Sequence, residues 1–100
     1  SHGEKRQLEV GMALVGEPKL LILDEPMAGM GPGGTVELSK LINRLKGWTT
    51  ILLVEHDMDV VFSLADQVTV LVYGENIATG SPEQIRDNEA VRHAYLGEEE

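Results

Sequence analysis

An aspartate and a glutamate stand side by side at the end of an unbroken apolar run, Leu20-Leu21-Ile22-Leu23-Asp24-Glu25. Carboxylates at the carboxyl end of a buried parallel strand lie where α/β proteins bind their ligands. Asp24 suits Mg²⁺, held through water, because that ion keeps its waters and takes few protein carboxylates. Glu25 suits a general base that points at a water attacking a phosphoryl group. A plain helix or loop cap would use the same two residues, and the pattern alone leaves both readings open. A second apolar run ends in Val54-Glu55-His56-Asp57. His56 could reach the same phosphate or orient the water, although a histidine at a strand end is more often a surface or capping residue. Asp57 stands where a helix N-cap is expected. Ser1-His2-Gly3-Glu4 opens a helix. Free N–H groups, the helix dipole, a hydroxyl and a glycine that permits close approach make an anion site there, with an ordinary N-cap serine as the alternative.

Several elements must position these residues. Gly3 to Val15 reads as a helix with Leu8, Met12 and Val15 on one face, ended by Gly16 and Pro18. Lys19 to Asp24 suits a strand buried on both faces, although a buried helix gives the same local signal. Met27 to Gly34, rich in glycine and holding Pro32, reads as a loop. Thr35 to Lys46 is an amphipathic helix with Leu38, Leu41, Ile42 and Leu45 inward and Gly47 at its end. Thr49 to Val54 is a second strand, and Met58, Val61, Phe62 and Ala65 give the next helical face. Gln67 to Tyr73 is a third strand, turned by Gly74-Glu75-Asn76 into a short antiparallel partner, Ile77 to Thr79. Ser81-Pro82-Glu83-Gln84 is a capping box with proline at the first helical position. A last helix carries Val91, Ala94 and Tyr95, with Gly97 after it. Helices alternating with strands imply an α/β layer fold built on a parallel sheet.

Composition narrows the function. One hundred residues suffice for one small domain. Eight basic residues against 17 acidic ones, a net charge of -9, argue against nucleic acid as a partner. A bound nucleotide must then be held by local dipoles and a metal. Cysteine is absent, which excludes disulfides and thiolate metal sites. No apolar run reaches membrane-spanning length, and the first residues lack the apolar core of a signal peptide.

Taken together, the three chemical segments resemble, in order and spacing, the second half of an ATP-binding cassette (ABC) ATPase. Ser1 to Arg6 resembles the signature, usually Leu-Ser-Gly-Gly-Gln, with His2 in place of its first glycine. Leu20 to Asp24 resembles Walker B, Glu25 the catalytic glutamate and His56 the switch histidine. Met27 to Gly31 stands at the D-loop, with Gly31 where the family usually has aspartate. The words Glu25-Pro26-Met27-Ala28-Gly29-Met30, Val54-Glu55-His56-Asp57-Met58 and Ala94-Tyr95-Leu96-Gly97 resemble the ATPases of branched-chain amino-acid uptake. The resemblance implies a partial P-loop NTPase of the ABC ATPase type: a parallel sheet with flanking helices, then a C-terminal β-hairpin and two helices. It implies ATP and Mg²⁺ as cofactors, with Glu25 and His56 catalytic and Asp24 on the metal. Ser1, Gly3 and Glu4 would meet the γ-phosphate held by a second ATPase subunit. Transmembrane permease subunits would then hold the protein on the cytoplasmic face of the membrane. An ABC-type ATPase without a transport role is the first alternative. A receiver-like signalling domain is the second, although no strand precedes Walker B and Gln67 to Tyr73 lacks the lysine such a domain needs.

No G-x-x-x-x-G-K-[ST] occurs. Residues 1-100 are therefore expected to be the C-terminal fragment of one nucleotide-binding domain, without its P-loop half and unable to hydrolyse ATP alone. In the related fold the P-loop strand lies between the strands that here are Thr49 to Val54 and Gln67 to Tyr73. Its absence is expected to uncover Ile51, Leu53, Val68 and Val70, and to drive strand rearrangement or self-association.

Overall fold

The computed structural model describes residues 2–95, and of His2 the backbone alone. It divides into two compact units, Ser1–Val60 and Val61–Glu100. The first unit holds α1 (His2–Leu14), β1 (Leu20–Asp24), α2 (Pro32–Leu45), β2 (Thr50–Val54) and the start of α3 (Met58–Leu64). The second holds the rest of α3, β3 (Val68–Val72), β4 (Glu75–Gly80), α4 (Pro82–Arg86) and α5 (Glu89–Ala94).

In the first unit β1 and β2 pair in parallel, from Leu20 opposite Thr50 to Asp24 opposite Val54. Polar contacts fix this register at both ends. Thr49 Oγ1 donates to the Pro18 carbonyl at 2.9 Å, and the Thr50 N–H donates to Lys19 O at 3.2 Å. Beyond the strands, the Glu25 N–H donates to Val54 O at 2.7 Å. The helix α2 lies between the two strands in sequence, as a parallel pair requires. It buries Leu38 and Ile42, with Leu41 and Leu45 half-buried, on the face expected from their spacing.

Three expectations change here. First, α2 begins at Pro32, with Gly31 as N-cap, so residues 32–34 are helical and not loop. Proline at the first helical position has a suitable φ and needs no N–H partner. Second, β1 is buried on one face only. Leu21 and Leu23 are buried, whereas Leu20 and Ile22 are exposed. Leu52 and Val54 on β2 share that exposed face, while Ile51 and Leu53 are half-buried. Third, Leu8, Met12 and Val15 are exposed, and α1 buries Val10 instead. The chain leaves α1 through Glu17 at φ 51°, not through Gly16.

In the second unit β3 and β4 form an antiparallel hairpin. Its turn is the two-residue pair Tyr73-Gly74, at φ 51° and 80°, and Glu75 and Asn76 belong to the strand. Two successive left-handed residues give the twist that two-residue hairpins favour. A register shift follows between Val70 and Leu71, so the alternation in β4 is broken. Val68 and Val70 are buried, contrary to the expected loss of cover.

The capping box is present in full. Gln84 N–H donates to Ser81 Oγ at 3.2 Å, and Ser81 N–H to Gln84 Oε1 at 2.9 Å. Gly80 makes room for it, since a Cβ there would come within 2.5 Å of Gln84 Oε1. Asn88 caps α5 through the Val91 N–H at 3.1 Å. Ile85 and Val91 are the buried anchors of α4 and α5, and the Arg86 guanidinium lies 4.9 Å from the Phe62 ring centre. The Tyr95 hydroxyl donates to the Leu71 carbonyl. Gly97 lies outside the described residues.

The one-sided strand makes a measurable contrast. In the 100-residue chain, Leu38→Ala should cost about 2–5 kcal/mol, because it leaves a cavity in the core of the first unit. Leu20→Ala, on the exposed face, should cost less than about 1 kcal/mol. Urea unfolding of the two variants checks this, and equal losses would refute the one-sided burial.

Candidate functional site

In-register parallel pairing puts the carboxyl ends of β1 and β2 at one edge, so the loops carrying Asp24-Glu25 and Glu55-His56 start side by side. The imidazole Nδ1 of His56 is 3.7 Å from Glu25 Oε1. Both side chains remain largely accessible, His56 at 75% and Glu25 at 49%. Glu25 holds a left-handed backbone, φ 47°, which is uncommon outside glycine and costs roughly 1–2 kcal/mol.

Several bonds hold this segment in place. A turn closes through the Ala28 N–H to Glu25 O at 3.1 Å, followed by the Met30 N–H to Met27 O at 3.1 Å. The Met27 N–H donates to Glu55 Oε2 at 3.1 Å. From α1, Arg6 Nη1 donates to the Pro26 carbonyl and approaches Glu25 O at 3.5 Å. Arg6 Nε is 3.4 Å from Glu9 Oε1. Pro26 and Met27 are buried, so the loop is anchored while Asp24 and Glu25 face outward. An open cleft of about 690 Å³ runs between α1 and β1, lined by Arg6, Glu9, Val10, Ile22, Asp24 and Glu25 among others.

Asp57 caps α3 as expected, accepting from the N–H groups of Asp59 at 3.1 Å and Val60 at 3.4 Å. Gly3 and Glu4 lie in the first turn of α1. A Cβ on Gly3 would make only ordinary van der Waals contact with Met30 Cε at 3.6 Å and Gly34 Cα at 3.7 Å. Ser1 lies outside the described residues. The structure thus brings Asp24, Glu25 and His56 to one edge and carries Gly3 and Glu4 on a helix tied to that edge by Arg6. Arg6 and Glu55 escape a reading of the sequence, because each looks like one more solvated charge.

The edge suits Mg²⁺. Among the described residues the Asp24 carboxylate has no hydrogen-bond or ion-pair partner, and it offers the hard oxygen that Mg²⁺ prefers. No group of three or more metal-ligating side chains occurs among the described residues.

Comparison with known proteins identifies the class. Residues 75–100 match the family model described as branched-chain amino acid ATP-binding cassette transporter. LivG of Escherichia coli K12, a high-affinity branched-chain amino acid transport ATP-binding protein, is 47% identical over 100 residues, covering 98% of this chain and 39% of that protein. BraF of Pseudomonas aeruginosa, described in the same words, is 45% identical with the same coverage. The crystal structure of MJ1267 in its ADP conformation, an ATP-binding cassette of an ABC transporter, superposes with a TM-score of 0.85 at 32% identity. It covers 98% of this chain and 41% of that one. The chain spans about two-fifths of the length of these relatives.

The fold is that of the P-loop NTPases, in the form found in ABC cassettes. The chain belongs to the ATP-binding cassette ATPases, and among them it resembles the ATP-binding subunits of branched-chain amino-acid transport. Among the described residues no helix is long and apolar enough to cross a membrane.

The Glu55 contact generates a prediction. Glu55→Ala leaves the Met27 N–H without its acceptor and should cost about 1–2 kcal/mol. Glu55→Gln keeps an acceptor oxygen and should cost less than half as much. Thermal unfolding of the two variants measures the difference.

Proposed function

We propose that this chain is the C-terminal part of one nucleotide-binding domain in the ATPase subunit of an ABC importer, with branched-chain amino acids or related small solutes as cargo. One observation carries the mechanism: Glu25, at the carboxyl end of a parallel pair, has the His56 imidazole 3.7 Å from its carboxylate. Glu25 takes the proton of the water that attacks the γ-phosphate of ATP. As the new P–O bond forms, the bond to the bridging oxygen breaks and ADP leaves. His56, on the neighbouring loop, orients that water and contacts the γ-phosphate. Asp24 would hold Mg²⁺, and the ion would offset the phosphate charge.

Ser1, together with Gly3 and Glu4 at the amino end of α1, acts in trans on the γ-phosphate held by a second ATPase subunit. Such helix ends present free N–H groups and a favourable dipole to anions. The arrangement requires a dimer of ATPase subunits, docked on transmembrane permease subunits at the cytoplasmic face of the membrane. The role of LivG and BraF in branched-chain amino acid transport supports the cargo class over a non-transport ATPase. A receiver-like domain has no support in these relatives. The exposed face formed by Leu20, Ile22, Leu52 and Val54 supports self-association of the 100-residue chain when it stands alone.

Two measurements test the reading. In the ATPase subunit that contains this chain, Glu25→Gln keeps the shape and removes the base. ATP hydrolysis should fall by about 10²–10⁴-fold while Mg-ATP binding persists. Wild-type turnover in that variant would refute the assignment. The 100-residue chain alone lacks a phosphate-cradling P-loop, so titration calorimetry with Mg-ATP should find no tight site. Micromolar binding with turnover would overturn this expectation.

A further inference from the structure

We infer that Arg6 is a positioning residue for Glu25, clamping the main chain of the Glu25-Pro26 turn so that the Glu25 carboxylate meets its water from one direction. The inference rests on the general-base role proposed above and adds the residue that aims the base. Arg6 Nη1 donates to Pro26 O and lies 3.5 Å from Glu25 O. The carbonyl of Glu25 also accepts the Ala28 N–H at 3.1 Å, so the turn and the guanidinium converge on one atom. Glu9, one turn further along α1, lies 3.4 Å from Arg6 Nε and directs the other end of the guanidinium toward the loop. An Arg–Glu pair at i, i+3 on a helix surface contributes little alone. Here the Arg6 side chain is only 27% exposed, and its reach spans 20 residues of sequence to a buried proline.

The need for a clamp comes from the backbone. Glu25 sits at φ 47°, and rotation to the common negative φ would redirect its side chain away from His56. Its N–H is held by Val54 O, which fixes one side of the residue. Arg6 fixes the other side, at the carbonyl. Because α1 also carries Gly3 and Glu4, the same contact joins the helix end proposed to meet nucleotide in trans to the base that acts in cis. A planar guanidinium can serve two carbonyls at once, whereas a lysine ammonium is a point charge on a flexible stem.

The test uses steady-state ATP hydrolysis by the ATPase subunit that contains this chain, with Arg6→Ala, Arg6→Lys, Glu9→Gln and Glu25→Gln compared under the same conditions. Arg6→Ala should lower kcat by about 10- to 100-fold, the effect expected of a misplaced catalytic group. Its KM for ATP should stay within about twofold, because the residue does not touch nucleotide. Arg6→Lys should recover part of the loss, and Glu9→Gln should show a smaller loss in the same sense. A purely structural staple would instead lower the melting temperature and leave kcat per folded molecule unchanged, which would overturn the inference. If Arg6→Ala fails to fold, Arg6→Lys and Glu9→Gln decide the matter: wild-type kcat in both overturns it. Turnover retained by Glu25→Gln would defeat the general-base reading and this inference together. An inactive Glu25→Gln beside a fully active Arg6→Ala would defeat the clamp alone.

Discussion

The parallel pairing of β1 with β2 is the constraint on which the site depends. Each strand is only five residues long, so a slip of one position would move the loop after one strand relative to the other. It would also turn Leu21 and Leu23 outward, because side chains alternate between faces. The burial of those two leucines and the side-chain bond from Thr49 to Pro18 therefore set the separation of Glu25 and His56. The last rung, Glu25 N–H to Val54 O, extends the pairing into the loop itself. Chemistry at the edge is thus specified by packing inside the unit.

A left-handed glutamate would be unfavourable in an unsupported loop. Its cost, roughly 1–2 kcal/mol, is of the size that a few hydrogen bonds offset. The loop has them: two main-chain turn bonds, the Glu55 carboxylate on Met27 N–H and the Arg6 guanidinium on two carbonyls. Burial of Pro26 and Met27 adds apolar anchoring beside the strained residue. Strain held by its surroundings is a feature of sites where a side chain must be presented in one orientation.

Much of this was legible in the sequence where local rules decide the outcome. Strand-ending carboxylates, the Asp57 cap and the Ser81-Gln84 box depend on near neighbours, and all stand where their spacing places them. The alternation of helix and strand likewise implied the parallel pair. What escaped depends on partners distant in sequence or on backbone choices that a pattern does not encode. The spacing of Leu8, Met12 and Val15 signals an apolar face but cannot say whether anything covers it. Tyr73 accepts a left-handed φ that would have been assigned to a glycine or asparagine, so the hairpin turn starts one residue earlier and ends two earlier than expected. Arg6 and Glu55 matter through contacts 20 and 28 residues away, which no local period reports.

The acidity of the edge is the last matter, since a polyphosphate is repelled by carboxylates. Four of them, Asp24 at the end of β1 and Glu25, Glu55 and Asp57 just beyond the two strands, crowd this edge of a chain with net charge -9. They are not equivalent. Glu55 and Asp57 accept backbone N–H groups, which spread their charge into the peptide dipoles of the loop and of α3. Glu25 stands 3.7 Å from the His56 imidazole. Of the four, Asp24 alone is without a hydrogen-bond or ion-pair partner among the described residues. A hydrated divalent cation bound there would carry two positive charges to the edge against one uncommitted carboxylate, leaving an excess for phosphate oxygens to neutralise. The distribution of hydrogen bonds among these acids, more than their number, is what makes an acidic edge compatible with a nucleotide.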